Sequence, residues 1–245
     1  MGTALELEAV FQHVGPHCAL TDISLRMEQG EWLLLIGPNG AGKTLLTRLI
    51  LGIDTPSAGT IRVFGKALAT LNDRAMRRLR RDLGAVLQGG SLLEDLTVLE
   101  NLLIPLRAAP LGRNEMARAA RLVMTQLQLD GLENHPPRSL SLGQRRRVEL
   151  GRALIHKPAL LVWDGLTDGL DPASARETLN LLRDQQEHQN LTLLATDNRP
   201  DVLAQSGDRV AVLDRGRLVF DGSRARLEQT AEERLELRFV LRGRP

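Results

Sequence analysis

Aromatic residues make up only 2% of this 245-residue chain, and tyrosine is absent. The core therefore has to be filled by Leu, Ile, Val and Ala, and flat side chains on which bases could stack are scarce. A single cysteine, Cys18, excludes an intrachain disulfide framework and suits a reducing compartment. No apolar run approaches the ~18 residues that span a bilayer. The opening residues, MGTALELEAVF, lack the basic-then-apolar order of a secretory leader. Any role at a membrane therefore has to come through a partner or a surface contact. The five histidines (His13, His17, His135, His156, His188) fall at no metal-ligand spacing, which argues against a zinc site. Charge leans little to either side: 32 basic against 30 acidic residues, net +2, a balance that demands no nucleic-acid partner.

What is present reads as an ordinary globular protein, 42% hydrophobic and 25% charged. Short apolar runs alternate with helical patterns. Trp32–Ile36, Leu83–Leu87, Leu160–Trp163, Leu191–Ala195 and Val210–Leu213 are strand candidates, with a helix expected over Leu45–Leu51. Interleaving of this kind predicts an α/β fold with a mostly parallel sheet. Leu5–Val10 and Ile61–Phe64 read as a smaller antiparallel region. Arg217–Phe220 pairs with Val210–Leu213 across the turn signal Asp214-Arg215-Gly216. Residues 89–157 have a helical texture: Thr97 is placed to cap a helix from Val98, Asn114–Leu129 carries apolar residues at helical spacing, and Pro136-Pro137 precedes a helix at about Leu142–Ile155.

The strand WLLLI runs directly into Gly37-Pro38-Asn39-Gly40-Ala41-Gly42-Lys43-Thr44, followed by Leu45 and the expected helix. This fits G-x-x-x-x-G-K-[ST], the Walker A loop. Glycines let backbone N–H groups turn inward around phosphates, and the helix N-terminus adds partial positive charge. Lys43 is placed to reach the β- and γ-phosphates of ATP, and the Thr44 hydroxyl to ligate Mg²⁺. The bland alternative is a glycine turn joining a strand to a helix; the strand before it and the helix after it favour the phosphate loop. Asp164 ends the strand Leu160–Trp163, a position from which a carboxylate can hold Mg²⁺ directly or through water.

Together these residues resemble the ATPases of ABC transporters over about residues 5–223. Gln88 matches that family's Q-loop glutamine, Leu140-Ser141-Leu142-Gly143-Gln144 its LSGGQ signature with Leu142 in place of the first glycine, and Gly169-Leu170-Asp171 its D-loop. The resemblance implies a P-loop NTPase core of the RecA type, with a small antiparallel β region and a helical insertion at about 89–157. A helical tail of unclear role would follow at 224–245. It implies that ATP lies between one subunit's Walker motifs and the Ser141, Gly143 and Gln144 of a second, and that Thr44, Gln88 and Asp164 surround Mg²⁺. The implied partners are a membrane permease and a second ATP-binding subunit, identical or different, with the chain peripheral at the cytoplasmic face of an inner membrane. Nucleic acid is not an expected partner. A narrower likeness runs through Gln88–Leu93, Leu96–Asn101 and Ile104–Leu106, joined by Gly15–Cys18, Asp22–Leu25 and Arg199–Leu203. These segments resemble the ATPases of MCE-type phospholipid transporters and imply lipid cargo with MCE-domain accessory proteins. Lipoprotein-export and cell-division branches share part of the pattern, and the alternative to a transporter subunit is a regulatory ATP-binding protein of the same class that uses closure as a signal.

The chain also departs from the family. The glutamate expected after Asp164, the general base, is Gly165; the proline after it is Leu166; the switch histidine is Asp197; the adenine-stacking aromatic is Val14, with Phe11 the nearest substitute. A positioned base contributes ~10²–10⁴-fold, about 3–5 kcal/mol of barrier. An ionised Asp197 cannot donate to the γ-phosphate and would repel it. These losses fall on hydrolysis more than on binding. They lead to the expectation of a subunit that binds ATP but hydrolyses it slowly or not at all, with Asp168 and Asp197 the carboxylates left to orient a water. On this reading Gly165→Glu alone recovers little, and Gly165→Glu combined with Asp197→His exceeds the product of the two single effects. Two basic runs, Arg77–Arg81 and Arg145–Arg147, read as solvated charge, Arg77–Arg81 on an exposed helix face.

Overall fold

The computed structural model describes residues 2–199, 207, 209–233 and 237. Along the chain these form β1 (Thr3–Val14), β2 (His17–Glu28), β3 (Trp32–Ile36), α1 (Lys43–Ile50), β4 (Ala58–Val63), β5 (Lys66–Ala67), α2 (Asp73–Leu79) and β6 (Leu83–Val86). There follow α3 (Val98–Leu103), α4 (Arg113–Gln126), α5 (Leu142–Leu154), β7 (Leu160–Trp163), α6 (Pro172–Gln189), β8 (Thr192–Asp197), β9 (Arg209–Asp214), β10 (Arg217–Ser223) and α7 (Arg224–Glu233). The central sheet has the order β10-β9-β3-β8-β7-β6, parallel except for the β9–β10 hairpin, and β2-β1-β4-β5 form a separate antiparallel sheet. This is the expected α/β class, a mostly parallel core with an antiparallel region and a helical insertion. Helices α3, α4 and α5 all fall within 89–157.

The central strands are buried on both faces, and side-chain alternation divides them between two cores. Trp32, Leu34, Ile36, Leu161, Trp163, Leu193, Ala195, Val210 and Val212 point to one side. They meet Val98 and Leu102 of α3, Val123 and Met124 of α4, Val148 and Leu150 of α5, and Leu179 and Leu182 of α6. Leu33, Leu35, Leu160, Val162, Leu194, Ala211 and Leu213 point to the other. There they pack on Leu46, Leu49 and Ile50 of α1 and on the antiparallel sheet through Leu5, Leu7, Val10, Leu20, Ile23 and Leu25. A period of two in runs such as WLLLI thus supplies both layers from a single five-residue strand.

Three expectations gain structural detail. The antiparallel region is larger than Leu5–Val10 and Ile61–Phe64 suggested, because β1 extends to Val14 and pairs with β2 over its length. The apolar alternation of both strands is broken by residues at positive φ, Ala9 in β1 and Asp22 in β2, with register shifts that hide the second strand from a periodicity reading. The tail expected at 224–245 is helical over Arg224–Glu233, and its Leu227 and Leu237 are buried in the same core as Phe220. The third concerns the Arg145–Arg147 run, which is not a solvated face. Arg145 pairs with Glu94, Arg147 with Glu177, and Arg146 with Glu149 at 2.9 Å, this last pair buried. Arg77, Arg78, Arg80 and Arg81 are exposed, as read.

The Leu96–Asn101 pattern is explained locally. Thr97 and Glu100 form a reciprocal capping box on α3: Glu100 N–H donates to Thr97 Oγ1 at 3.2 Å, and Thr97 N–H to Glu100 Oε2 at 2.8 Å. Asn101, fully buried, donates to the carbonyls of Leu93, Leu96 and Thr97 and accepts from Leu93 N–H. These residues hold the segment that leads from Gln88 into the helical region. Thr97→Ala should lower stability by about 1 kcal/mol, read as a shifted urea midpoint with an unchanged slope; a wild-type midpoint would show that the cap carries no weight.

Candidate functional site

Four parallel neighbours, in the order β3-β8-β7-β6, end side by side, and each delivers a site residue from its carboxyl end. β3 runs into Gly37, β6 is followed by Gln88, β7 by Asp164, and β8 ends at Asp197. Crevices at the carboxyl ends of parallel strands are the usual ligand positions in such sheets. Here they open into a cavity of about 670 Å³ lined by Lys43, Thr44, Gln88, Asp164, Asp168 and Asp197 together with Asn39, Gly40, Gly42, Leu45, Gly165, Thr196 and Asn198. Its outer wall carries Val14 and Ala19, while Phe11 is not among the lining residues, so the expected substitute ring does not reach it.

The loop from Gly37 to Gly42 needs its glycines for two different reasons. At Gly37 a Cβ would lie 2.0 Å from the Leu213 carbonyl oxygen, a steric bar, whereas Gly42 adopts φ 107°, open only to glycine. Gly42 is the N-cap of α1 and makes no side-chain cap, so the first N–H groups of that helix are left for a ligand. Lys43 Nζ donates to the carbonyls of Gly37 at 2.7 Å and Pro38 at 3.0 Å. Burial lowers its pKa, opposed by the carboxylates of Asp164, Asp197 and Asp168.

The polar groups are chained together. Thr44 Oγ1 donates to Gln88 Oε1 at 3.2 Å, and Gln88 Nε2 donates to Asp168 Oδ2 at 2.7 Å. Thr196 Oγ1 donates to Asp164 Oδ1 at 2.7 Å and accepts from Gly165 N–H at 2.9 Å. The other oxygen of Asp164, Oδ2, is buried without a hydrogen-bond partner. A buried carboxylate oxygen left bare is costly unless a cation or water takes it. Beside it, the Thr44 hydroxyl and the Gln88 amide oxygen complete a hard-oxygen set suited to Mg²⁺. Among the described residues no cluster of three or more His, Cys, Asp or Glu offers a metal site by itself.

Asp197 is employed otherwise than its sequence position suggested. Its Oδ2 accepts from Thr167 N–H at 2.9 Å and Thr167 Oγ1 at 2.7 Å, and its Oδ1 from the N–H groups of Asn198 at 2.8 Å and Arg199 at 2.9 Å. With 1% exposure and both oxygens doubly occupied, this carboxylate pins the loop after β8 to the loop after β7. Asn198 follows it and donates to Asn39 Oδ1 at 2.9 Å, across the phosphate loop. Neither Thr196 nor Asn198 was singled out from sequence; their only signal was adjacency to the switch position.

Ser141, Gly143 and Gln144 stand apart from this cavity. Ser141 caps α5 in a reciprocal box with Gln144, and Leu142, 46% exposed, lies against Gly169. A buried relay joins that helix to the site: Glu149, paired with Arg146, accepts from Ser91 N–H; Arg152 donates to the Ser91 carbonyl; Arg146 reaches the Asp168 carbonyl at 3.5 Å. The proposed match at Arg199–Leu203 lies outside the described residues from Pro200 onward.

The model of the ABC transporter family matches residues 20–168, a span that holds the phosphate loop, Gln88, Ser141 and Asp164. The chain belongs to the ABC transporter family. Its sequence is 35% identical over 222 residues to the methionine import ATP-binding protein MetN of Latilactobacillus sakei, covering 91% of this chain and 64% of that one. The MetN protein of Ralstonia nicotianae is 38% identical over 224 residues, covering 88% of this chain and 63% of the relative. This chain thus spans less than two thirds of the length of these relatives. Among solved structures, a dimeric ATP-binding cassette in a post-hydrolysis state, bound to ADP and Pi, superposes with a TM-score of 0.82 at 27% identity, covering 89% of this chain and 98% of that one. ABC cassettes bind ATP. Among the described residues, no helix is long and apolar enough to cross a membrane.

Gly165 is the departure with the sharpest geometry. It sits at φ 73°, and a Cβ there would lie 2.3 Å from Asp168 Oδ2. Restoring a side chain at 165 therefore meets both backbone strain and the Asp168 carboxylate. Asp197→His, the other half of the repair read from sequence, would strip the buried Thr167 donors of their acceptor, at ~1–3 kcal/mol per orphaned group. Gly165→Ala should cost about 1–3 kcal/mol, and Gly165→Ala with Asp168→Ala should cost less than the sum of the two single changes. Urea unfolding of the four variants measures this coupling; strict additivity would show that the two positions do not share space.

Proposed function

We infer that this chain is the ATP-binding subunit of an ABC transporter, working as one of a pair beneath a membrane permease at the cytoplasmic face of an inner membrane. Residues 1–223 form the cassette in this reading, with residues 89–157 as its helical part and α7 packed back onto the core. The observation that carries it is Lys43 lodged in the loop Gly37–Thr44, with the bare oxygen of Asp164 in the same cavity. That is a polyphosphate cradle with oxygen donors suited to a hard cation. The loop from Gly37 to Leu45 and Gln88 would hold ATP, with Ser141, Gly143 and Gln144 supplied to it by the second subunit. Thr44, Gln88 and Asp164 would hold Mg²⁺, which when bound neutralises charge on the transferring phosphoryl group.

Cargo belongs to the membrane partner. The curated relatives reported above are named for methionine import, which supports import of a small solute over the phospholipid reading. Within the segments that suggested MCE-type transport, Leu93, Thr97, Glu100 and Asn101 have local structural roles in the α3 cap and the Asn101 clamp. Lipid cargo and MCE-domain accessories therefore have no independent support here. Because position 165 carries no glutamate, turnover belongs below that of a relative that retains it.

Lys43→Ala should weaken Mg-ATP binding by tenfold or more, the scale of losing a charge-assisted hydrogen bond of ~1.5–3 kcal/mol, in a fluorescent-nucleotide titration of the full chain. Equal affinity for the two proteins would remove the basis of this reading. Steady-state phosphate release should fall below that of an intact relative under the same conditions; a matching rate that vanishes in Lys43→Ala would refute the low-turnover expectation.

A further inference from the structure

We propose that Asp168 is the carboxylate that orients and deprotonates the attacking water, three residues displaced from the position where the family places its glutamate. The inference rests on the ATP-binding reading above and adds to it a catalytic residue. Three carboxylates line the cavity: Asp164, Asp168 and Asp197. Two are otherwise engaged. Asp197 has both oxygens doubly hydrogen-bonded at 1% exposure. Asp164 has one oxygen bonded to Thr196 and the other buried toward the cation position.

Asp168 differs from Asp197 in having an oxygen without a hydrogen bond among the described residues, and from Asp164 in being partly exposed to the cavity. Its Oδ2 accepts from Gln88 Nε2 at 2.7 Å, while its Oδ1 takes no hydrogen bond from a described residue. The turn Gly165–Asp168, closed by Asp168 N–H to the Gly165 carbonyl at 3.2 Å, folds the carboxylate back over position 165. Oδ2 comes to rest 2.3 Å from where a Cβ of residue 165 would be. The carboxylate thus fills the root of the space that a glutamate side chain at 165 would use, and the glycine is what admits it. Arg146 steadies the same residue from behind through its carbonyl. Gln88 ties Oδ2 to the Thr44 hydroxyl, so that the carboxylate is fixed relative to the phosphate loop.

In the step assigned to it, Asp168 Oδ1 takes a proton from water as the water oxygen bonds to the γ-phosphorus. The bond from that phosphorus to the β–γ bridging oxygen breaks, and its electron pair leaves on ADP. The products are ADP and inorganic phosphate, and Asp168 returns its proton to solvent. A base of this kind contributes ~10²–10⁴-fold.

The test uses the full chain and reads hydrolysis and binding separately. Asp168→Asn keeps the shape of the side chain and its contact with Gln88 in one amide orientation. It should lower phosphate release at saturating Mg-ATP by about 10²-fold or more while the Kd for a fluorescent ATP analogue stays within about threefold. Asp168→Ser clears the space and serves as background for Gly165→Glu, which should recover turnover there and not in the wild-type background. Wild-type rates from Asp168→Asn, loss of nucleotide affinity in place of turnover, or ATP bound by the wild type without any phosphate release would each overturn the assignment. Failure of Lys43→Ala to weaken binding would instead bring down the ATP-binding reading itself.

Discussion

Parallel pairing of β3 with β8, in the register Trp32↔Leu193 through Ile36↔Asp197, sets the place of every polar group around Lys43. Strand β7 pairs in turn with β8, and β6 with β7, so that the residues leaving these strands emerge along one edge. A slip of one residue in any pair would turn the apolar sets of the two cores to the wrong faces, and burial on both sides makes that slip costly. The site is thereby positioned by packing remote from it. The alternation Leu33/Leu35 against Leu34/Ile36 is as much a requirement for holding Asp164 near Lys43 as any hydrogen bond at the site.

Within that frame the departures from the family pattern form one packed unit. Gly165 at φ 73° opens room for Asp168. Leu166, fully buried, packs in the core shared with α6, and its N–H reaches the Thr196 carbonyl at 2.8 Å. Thr167 spends both its donors on Asp197. Each residue from 165 to 168 is thus matched to a partner across the β7–β8 edge or within its own turn. Taken singly, Gly165 reads as a lost base and Asp197 as a misplaced charge. Taken together, they belong to one set of contacts between the loops that follow β7 and β8.

The sequence carried the fold class because five apolar runs had the length, flanks and order of parallel strands, and the phosphate loop because its residues are contiguous. Contiguity is also what made Thr97 legible as a cap. What was hidden depends on contact between distant segments or on local backbone irregularity. The Arg145–Arg147 run looked like surface charge because Glu94 and Glu177 lie 51 and 30 residues away. Strand β2 was concealed by a residue at positive φ, which interrupts the period that would reveal it. The reach of Phe11 could not be judged from its distance in sequence to Val14, since the two lie on one strand and only Val14 borders the cavity.

The charge at position 197 shows why a residue type alone misleads. Read from sequence, an aspartate beside the γ-phosphate is a repulsive defect. In the fold its four donors are two N–H groups of its own turn and two groups of Thr167, so its negative charge is spread into fixed dipoles before any ligand is present. The same contacts orient Asn198 so that its amide meets Asn39 over the phosphate loop, which places an uncharged donor group near the cavity that the family's histidine would have faced. Lys43 feels Asp197 as one of three carboxylates that oppose the effect of its burial, with Asp164 the strongest. The negative charge facing Lys43 is therefore larger here than it would be with a neutral histidine at 197. The site compensates by immobilising the extra charge, not by removing it. An acidic residue whose oxygens are committed to the scaffold in this way acts as a pin between two loops.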